Sequence, residues 1–466
     1  MKQPWQFSDQ AETLVAQMSI EAKASLMSGS SFWDLQPIEE FGLGKVMVSD
    51  GPHGLRKQGA KSDHMGLSAA VPATCFPTAV TLASSWDRAL ISEVGAAIGR
   101  ECMAESVSVL LAPGVNIKRS PLCGRNFEYY SEDPFQAGEM ASAFVGGVQS
   151  TGVGTSLKHF AVNNQEAQRM VVDTLVDARS LFEIYLPAFE ATVKQVQPWT
   201  LMCAYNRFNG VYCSENETLL TDILRDRWGF KGLVVTDWGA VNDRVRGVAA
   251  GLELEMPSTG GVNDRKVAAA VHEGQLDAAH LDRAAMRVTE LILVAQNNAT
   301  AVKVDFKAHH TLARKAAAEG AVLLKNEANM LPLSSSDSVA LIGAFAETPR
   351  YQGAGSSQVN ATQIDTPLAL WREKLGEKNV SYAQGFDGEL ATQDTALIEQ
   401  AVAQAKQAKV AIVMAGLPPL FEAEGFDREH LRQPAQIESL IEAVAAANPN
   451  TVVVLSNGAP IEMPWM

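Results

Sequence analysis

The chain has 466 residues, of which 47% are hydrophobic and 20% are charged, and its formal net charge is −15. This length exceeds what one hydrophobic core normally organises, so we expect two domains. The negative charge argues against nucleic acids and anionic membranes as partners, because both bind basic surfaces, and it suits a neutral substrate. Residues 1–31 show no apolar signal segment, and no apolar run approaches the roughly 18 residues of a membrane span. We therefore expect a cytoplasmic protein, with its assembly state, including a homo-oligomer, left open.

Strands alternate with helices over the larger, N-terminal part of the chain. The predicted strands are residues 45–49, 106–112, 154–157, 200–204, 232–236 and 251–255. The predicted helices include residues 87–105, 179–196 and 281–296. Repeated βα units of this kind predict an α/β fold with a (β/α)8-type barrel over residues 1–298. Only these strands are clear, so we expect the barrel to be irregular or incomplete.

A polar stretch at residues 297–305 ends the last of these helices, and we place a linker at residues 299–315. A second alternating pattern occupies residues 316–466. Its predicted strands are residues 339–342, 410–415 and 452–456, and its predicted helices are residues 392–408 and 434–447. This pattern is typical of an open parallel α/β sandwich. The sequence stops directly after a strand, so we expect this sandwich to be incomplete and the chain to be a piece of a longer protein.

An acidic residue stands at the end of the fifth predicted strand. The run from Leu233 to Thr236 is β-preferring, and Asp237 and Trp238 follow it directly. Active sites of parallel-strand barrels lie at the carboxyl ends of the strands, which favours a functional role for Asp237. An aspartate at a strand end also commonly caps the next helix, so capping is the alternative interpretation.

Polar side chains also follow other predicted strands. Asp50 follows the first strand, Lys158 and His159 follow the third, and Arg125 lies in a polar loop. Each has an ordinary explanation, such as a turn at Asp50 or a local ion pair between Arg125 and Glu128. Their shared position at one rim of the predicted barrel nevertheless predicts that its mouth is lined by carboxylates and cations. Such a lining suits a hydroxyl-rich ligand.

Several motifs occur together along the chain. In the first domain they are Ser49-Asp-Gly-Pro-His-Gly-Leu-Arg56, Gly124-Arg-Asn126, Lys158-His-Phe160, Asn163-Asn-Gln-Glu166 with Arg169, Met202-Cys-Ala-Tyr-Asn206 and Val235-Thr-Asp-Trp-Gly239. In the second domain they are Leu323-Leu-Lys-Asn326, Leu331-Pro-Leu333, Gly353-Ala-Gly-Ser-Ser357 and Glu424-Gly-Phe-Asp-Arg428. With these motifs the chain resembles glycoside hydrolase family 3, in its β-glucosidase branch, over essentially its whole length.

The resemblance implies a barrel joined to a six-stranded α/β sandwich, with the active site between them. It implies a retaining β-glucosidase that removes terminal β-D-glucosyl residues in two steps through a covalent intermediate. Asp237 matches the nucleophile and Glu424 the general acid and base, with Glu422 as the rival for the second role. The residues that the resemblance assigns to sugar binding are Asp50, Arg125, Lys158, His159, Arg169, Tyr205 and Trp238.

The chemistry sets a requirement on charge. A retaining glycosidase needs two carboxyl groups roughly 5–5.5 Å apart, one ionised and one protonated. We expect Lys158 and Arg125 to lie near the charged Asp237. We expect Glu424 on a loop with fewer cations, where it keeps its proton near neutral pH.

Two alternatives stay open for the substrate and the activity. One is a β-xylosidase or a β-glycosidase of mixed specificity, and the other is a carbohydrate-binding fragment of low activity, because the second domain is expected to be incomplete. An N-acetylglucosaminidase is disfavoured, since that branch carries Pro-Gly-His-Gly after Lys158-His-Phe160, and here Ala161-Val-Asn-Asn164 follows. The expected partner is a β-glucoside or a short oligosaccharide.

We expect neither a metal nor a cofactor. The five cysteines are widely spaced without a CxxC pair, which predicts free thiols in a reducing compartment. Gly353-Ala-Gly355 opens no predicted helix and lacks the GxGxxG pattern of dinucleotide-binding proteins.

Overall fold

Parallel strands form the first sheet of the computed structural model, which describes residues 1–59, 69–327 and 329–466. Within these ranges the strands are β1 (Val48–Ser49), β2 (Val109–Leu110), β3 (Gly154–Phe160), β4 (Thr200–Cys203) and β5 (Leu233–Thr236). They are hydrogen-bonded in chain order, each parallel to the next. Every residue of these strands is buried, as expected for a parallel sheet covered on both faces.

Isolated bridges continue this curled sheet beyond β5. The bridged pairs are Val235 with Leu254, Ser28 with Glu255, Gly29 with Leu35, and Asp34 with Met47. The predicted strand at residues 251–255 therefore contributes single bridges instead of a paired strand. Its first residue, Gly251, has a left-handed φ of 105° and still belongs to the end of the preceding helix.

Helices pack around this sheet. The α-helices before residue 299 are Ser8–Val15, Ile20–Leu26, Ala79–Ser84, Arg88–Ala104, Pro134–Ser150, Ala178–Ser180, Pro187–Val196, Arg244–Ala250, Val262–His272 and Ala278–Asn298. Several begin at an aspartate whose side chain accepts first-turn backbone N–H groups, among them Asp87, Asp243 and Asp277. The stretches Leu181–Tyr185 and Thr218–Arg227 are π-helical.

A second parallel sheet follows. Its described strands are β6 (Val339–Ile342), β7 (Val380–Ala383), β8 (Val410–Gly416) and β9 (Thr451–Ser456), in the order β7-β6-β8-β9. The α-helices here are Phe306–Glu319, Pro367–Leu375, Thr395–Gln407 and Ala435–Ala447. The first of these helices occupies most of the predicted linker. We call the chain up to Asn298 the first region and the chain from Phe306 onward the second region.

Short elements lie between the longer ones. The 3₁₀ turns are Pro4–Phe7, Glu39–Phe41, Asn126–Glu128, Cys213–Glu215, Ala344–Ala346, Glu377–Asn379 and Pro419–Phe421. A small sheet joins Asp173–Thr174, Arg207–Phe208 and Val211–Tyr212. In the part of the chain that the structure describes, no helix is long and apolar enough to cross a membrane.

The two regions meet through close backbone contacts. The two-residue strand Pro72–Ala73 of the first region pairs in parallel with Asn360–Ala361 of the second. Phe127 occupies the space that a side chain would need at Gly353 and at Gly458. Glycine at these two positions therefore allows loops of the second region to lie directly on Phe127.

Strand β3 is longer than its predicted range of residues 154–157. It continues to Phe160, so Lys158 and His159 lie within the strand and not after it. Its pairing with β4 shifts register between Leu157 and Phe160. The two polar residues therefore lie at an irregular point of the sheet, where the ordinary alternation of side chains is interrupted.

A buried ion cluster fastens β5, which leads into Asp237. Glu253 Oε2 accepts a hydrogen bond from the backbone N–H of Val234 at 2.6 Å. Its Oε1 pairs with Arg225 at 2.8 Å and with Arg287. One carboxylate thus connects the strand to a π-helix and to the long helix Ala278–Asn298.

We predict that Glu253→Ala lowers the free energy of unfolding by about 3 kcal/mol, because the buried Arg225 loses its carboxylate partner and the backbone N–H of Val234 loses its acceptor. Chemical denaturation followed by circular dichroism measures the change. Lys194→Ala removes an exposed pair with Glu190 and is the matched control, for which we expect little change. Equal effects of the two variants would show that the Glu253 cluster is not a support of β5.

Candidate active site

Asp237 lies directly after β5 and is not the cap of the next helix. Its Oδ1 accepts a hydrogen bond from the backbone N–H of Trp238 at 2.8 Å. The next helix, Arg244–Ala250, is capped by Asp243. The other oxygen of Asp237, Oδ2, lies 3.8 Å from Nε2 of His159. The capping interpretation is therefore wrong, and Asp237 faces a residue of β3.

A buried charge cluster lies beside β1 and β3. Asp50 pairs with Arg56 at 3.4 Å and with Lys158 at 3.9 Å. Burial raises the pKa of Asp50 to about 6, against the attraction of these two cations. The charges of Glu424 and Asp237 act on this pKa in the same direction as burial. Both carboxylates therefore lie close enough to Asp50 to influence it.

Arg125 joins two acids from different regions. Its Nε and Nη2 lie 2.7 Å from Oε2 of Glu128, which is the local ion pair considered from the sequence. Its Nη1 lies 3.6 Å from Oε1 of Glu424. Lys158 Nζ lies 3.6 Å from the other oxygen of Glu128. The two cations, which we expected to lie near Asp237, thus form their ion pairs with other acids.

Arg169 connects the second region to the mouth of the first. Its Nη1 lies 2.8 Å from Glu166 and its Nη2 lies 2.9 Å from Glu424. The guanidinium also lies over the ring of Tyr205, 5.1 Å from the ring centroid. The hydroxyl of Tyr205 donates a hydrogen bond to the carbonyl of Trp238 at 3.0 Å. These contacts run from Glu424 to the residue that follows Asp237.

His159 contributes a polar but uncharged ring. Burial lowers its pKa well below the usual value, and nearby cations, Arg125 foremost, act in the same direction. Its Nδ1 lies 3.3 Å from the hydroxyl of Tyr129 and 3.3 Å from Oδ1 of Asn116. These contacts fix the ring orientation, so Nε2 stays directed towards the site.

Trp238 forms an ordered aromatic wall beside Asp237. Its Nε1 donates a hydrogen bond to the carbonyl of Phe32 at 2.9 Å. Its ring lies 5.2 Å from the ring of Trp33 at an angle of 45°. Because both the polar edge and one face have partners, the indole is held in one orientation.

Glu424 is surrounded by donors. Besides Arg125 and Arg169, its Oε2 accepts a hydrogen bond from the backbone N–H of Ser356 at 2.8 Å. Burial alone would raise its pKa, but the two guanidinium groups and Ser356 outweigh burial and hold the pKa well below its usual value. The expectation of a protonated Glu424 with few cations nearby is therefore wrong. Both arginines come from the first region, far away in the sequence.

Glu422 is directed elsewhere. Both of its oxygens accept a hydrogen bond from the backbone N–H of Gly458 at 3.0 Å. Burial raises its pKa, which by itself would suit a proton donor. Its carboxylate is nevertheless engaged with the segment after β9, whereas Glu424 contacts Arg125 and Arg169. Geometry therefore separates the two candidates more clearly than proton affinity does.

Several contributors were not named as site residues from the sequence, among them Glu166, Asp427 and Ser356. All three stand inside the quoted motifs, which gave their positions but not their roles. Ser356 contributes its backbone N–H, which no side-chain pattern reveals. Within the described ranges, no group of three or more His, Cys, Asp or Glu side chains is arranged to hold a metal ion.

Known proteins resemble both regions. Residues 50–291 match the glycosyl hydrolase family 3 N terminal domain, and residues 321–466 match the glycosyl hydrolase family 3 C-terminal domain. Thermostable beta-glucosidase B from Acetivibrio thermocellus is 52% identical over 455 residues, which cover 97% of this chain and 60% of the relative. An exo-alpha-(1->6)-L-arabinopyranosidase from Bifidobacterium breve is 48% identical over 466 residues, which cover 97% of this chain and 61% of the relative.

A solved structure shows the same fold. The crystal structure of a family 3 beta-glucosidase from Bifidobacterium adolescentis superposes with a TM-score of 0.91 at 47% identity, covering 97% of this chain and 65% of that chain. The fold is that of this α/β glycoside hydrolase. The chain belongs to glycosyl hydrolase family 3, as its motifs indicated. It spans about 60% of the length of the curated relatives it matches.

Proposed function

We propose that this chain carries the catalytic groups of a retaining β-glucosidase acting on terminal β-D-glucosyl residues. Asp237 attacks the anomeric carbon and forms a covalent glycosyl-enzyme. Glu424 first donates a proton to the leaving oxygen and later takes one from the water that releases the sugar. The residues that hold the sugar, through its hydroxyl groups and its apolar face, are Asp50, Arg125, Lys158, His159, Arg169, Tyr205 and Trp238.

One observation carries the proposal: carboxylates from two different sheets belong to one polar cluster. Asp237 follows β5, and Glu424 comes from the loop after β8, where Arg169 of the first region pairs with it at 2.9 Å. Arg169 covers Tyr205, whose hydroxyl contacts the residue after Asp237. The relatives named beta-glucosidases support the same chemistry.

The charge around Glu424 bears on how it acts. General acid catalysis needs a protonated carboxyl group, whereas Arg125 and Arg169 favour the ionised form. A guanidinium donates to sugar hydroxyls as readily as to a carboxylate. In the proposed mechanism, bound sugar draws Arg169 away from Glu424, so the pKa of Glu424 rises when the substrate is in place.

The architecture that we propose for the first region is an irregular (β/α)8-type barrel over residues 1–298. The bridges from Val235 through Leu254, Ser28 and Leu35 to Met47 support closure, because they return to the start of β1. We further propose that residues 299–315 act as the linker. The parallel sheet of residues 316–466 would then be part of an α/β sandwich.

We propose a cytoplasmic location. All of the cysteines are free thiols, and four of the five are buried. Burial raises the pKa of the remaining one, Cys75, to about 12, which keeps it protonated and unreactive. Free thiols of this kind are typical of reducing compartments.

Pentopyranosides are the second candidate substrates. One relative is named as an L-arabinopyranosidase, and β-xylosides and L-arabinopyranosides both lack the C6 hydroxymethyl group of glucose. In the β-glucosidase proposal, Asp50 accepts hydrogen bonds from the 4- and 6-hydroxyls. Comparing kcat/KM for 4-nitrophenyl β-D-glucoside, β-D-xyloside and α-L-arabinopyranoside ranks these candidates. Glucose binding without turnover of any of them would instead indicate a carbohydrate-binding fragment.

We predict that hydrolysis retains the β-configuration at the anomeric carbon and depends on Asp237. Early NMR spectra of the reaction with an aryl β-glucoside should show β-glucose, and Asp237→Ala should lower kcat by about four orders of magnitude. A 2-fluoro-glucoside should label Asp237, as peptide mass spectrometry can show. Early α-glucose, or a label on another residue, would refute the mechanism.

We predict that Glu424→Ala impairs substrates with poor leaving groups most. Cellobiose needs protonation of its leaving oxygen, whereas a dinitrophenyl glucoside needs little. Azide should restore turnover of the dinitrophenyl substrate by attacking the intermediate and giving β-glucosyl azide. The matched control is Glu422→Ala, which should lower thermal stability without this leaving-group dependence. If Glu422→Ala showed the leaving-group dependence and Glu424→Ala did not, the role of general acid and base would belong to Glu422.

We predict that Arg169→Met moves the basic limb of the kcat/KM profile to higher pH. Removing a cation destabilises the carboxylate of Glu424, so its pKa rises and the protonated acid persists to higher pH. The overall rate should fall, because Arg169 also holds the sugar. Arg179→Met, at an exposed position, is the control and should leave both limbs in place. A basic limb that stays fixed or moves to lower pH contradicts the assignment.

A further inference from the structure

Asp427 binds the backbone of two loops of the first region. Its Oδ1 accepts hydrogen bonds from the N–H groups of Gly124 and Glu166, both at 3.0 Å. Its Oδ2 accepts from the N–H groups of Glu166 at 3.1 Å and Ala167 at 2.9 Å. Three backbone donors therefore converge on one carboxylate, which comes three residues after Glu424.

Neighbouring contacts reinforce this attachment on both sides. The backbone N–H of Gly425 donates to Oε2 of Glu166 at 2.9 Å. The backbone N–H of Arg428 donates to the carbonyl of Leu122 at 2.8 Å. Gly124 has no room for a side chain, because carbonyl groups of the Glu424 loop lie directly on it. The loop is thus fixed in register against both partner loops.

The same two loops carry the cations that contact Glu424. Arg125 directly follows Gly124, and Arg169 comes two residues after Ala167. Asp427 therefore connects the loop that carries Glu424 to the two loops that carry the arginines. A shift of this attachment would move the acid and its charge partners relative to each other.

We propose that Asp427 is a positioning residue for Glu424. Its carboxylate sets where the Glu424 carboxyl group meets the leaving oxygen, and this role rests on the proposed function. Both oxygens are needed, since they serve three donors. Asparagine offers a single acceptor oxygen and would direct an NH2 group at a backbone N–H.

The test is the leaving-group dependence of Asp427→Asn. For cellobiose we expect kcat/KM to fall by about tenfold or more, because small displacements of a catalytic group are costly. For 2,4-dinitrophenyl β-D-glucoside, which needs little protonation, we expect a much smaller loss. Azide should accelerate this variant with the dinitrophenyl substrate, and labelling of Asp237 by a 2-fluoro-glucoside should proceed at nearly the original rate.

Two further variants separate positioning from general stability. Glu429→Gln changes an exposed acid of the same loop and should leave both substrates unaffected. In a Glu424→Ala background, Asp427→Asn should add no further leaving-group-selective loss, because the group it positions is gone. If Asp427→Asn does not fold, Asp427→Glu keeps the charge but displaces it, and it should show the same selective loss.

The outcomes distinguish a failure of the positioning role of Asp427 from a failure of the β-glucosidase proposal. Equal losses on both substrates, or a selective loss that persists in the Glu424→Ala background, would overturn the positioning role while leaving the β-glucosidase proposal intact. Failure of the original chain to hydrolyse any of the glucosides would refute the proposed function, and the role of Asp427 with it.

Discussion

The attraction between Glu424 and the guanidinium groups of Arg125 and Arg169 is the interaction on which the site depends. Glu424 belongs to the second region and both arginines to the first, so these ion pairs join two separately built sheets at one point. Buried ions are tolerated only when they are paired, because desolvation costs several kcal/mol per ion. The position of the acid, the packing of the two regions and the electrostatics of the mouth are therefore set together.

This pairing is the centre of a longer chain of alternating charge. From one end to the other, its members are Arg56, Asp50, Lys158, Glu128, Arg125, Glu424, Arg169 and Glu166. Each interior member touches opposite charges on both sides, so neutralising one would leave two like charges facing each other. At two of the acids burial outweighs the attraction of the nearby cations: the pKa of Asp50 rises to about 6 and that of Glu166 to about 7. A hydroxyl-rich ligand would meet donors and acceptors already held in place.

The local sequence pattern predicted the bounds of strands that consist of a continuous buried apolar run. Strand β6 has the predicted bounds, and β5 ends directly before Asp237 as expected. Strand β7 was missed, because it is a half-buried edge strand without an apolar run. The predicted helix at residues 179–196 is interrupted before Pro187, which cannot donate the helical N–H. The motifs likewise contained the proposed sugar-binding residues, although their ion-pair partners, apart from Glu128 as the partner of Arg125, could not be predicted.

The surroundings of Glu424 lay beyond sequence reasoning, because they depend on contacts between distant segments and on backbone donors. Two demands on this residue conflict. The arginines that hold the carboxylate also oppose its protonation, and a general acid needs both a fixed position and a proton. Asp427 offers a physical resolution in the proposed mechanism, since it fixes the loop through backbone hydrogen bonds that no sugar would displace. In that mechanism Arg169 can leave Glu424 for a substrate hydroxyl without displacing the loop. The proton affinity of Glu424 can therefore change while the position of its carboxyl group does not.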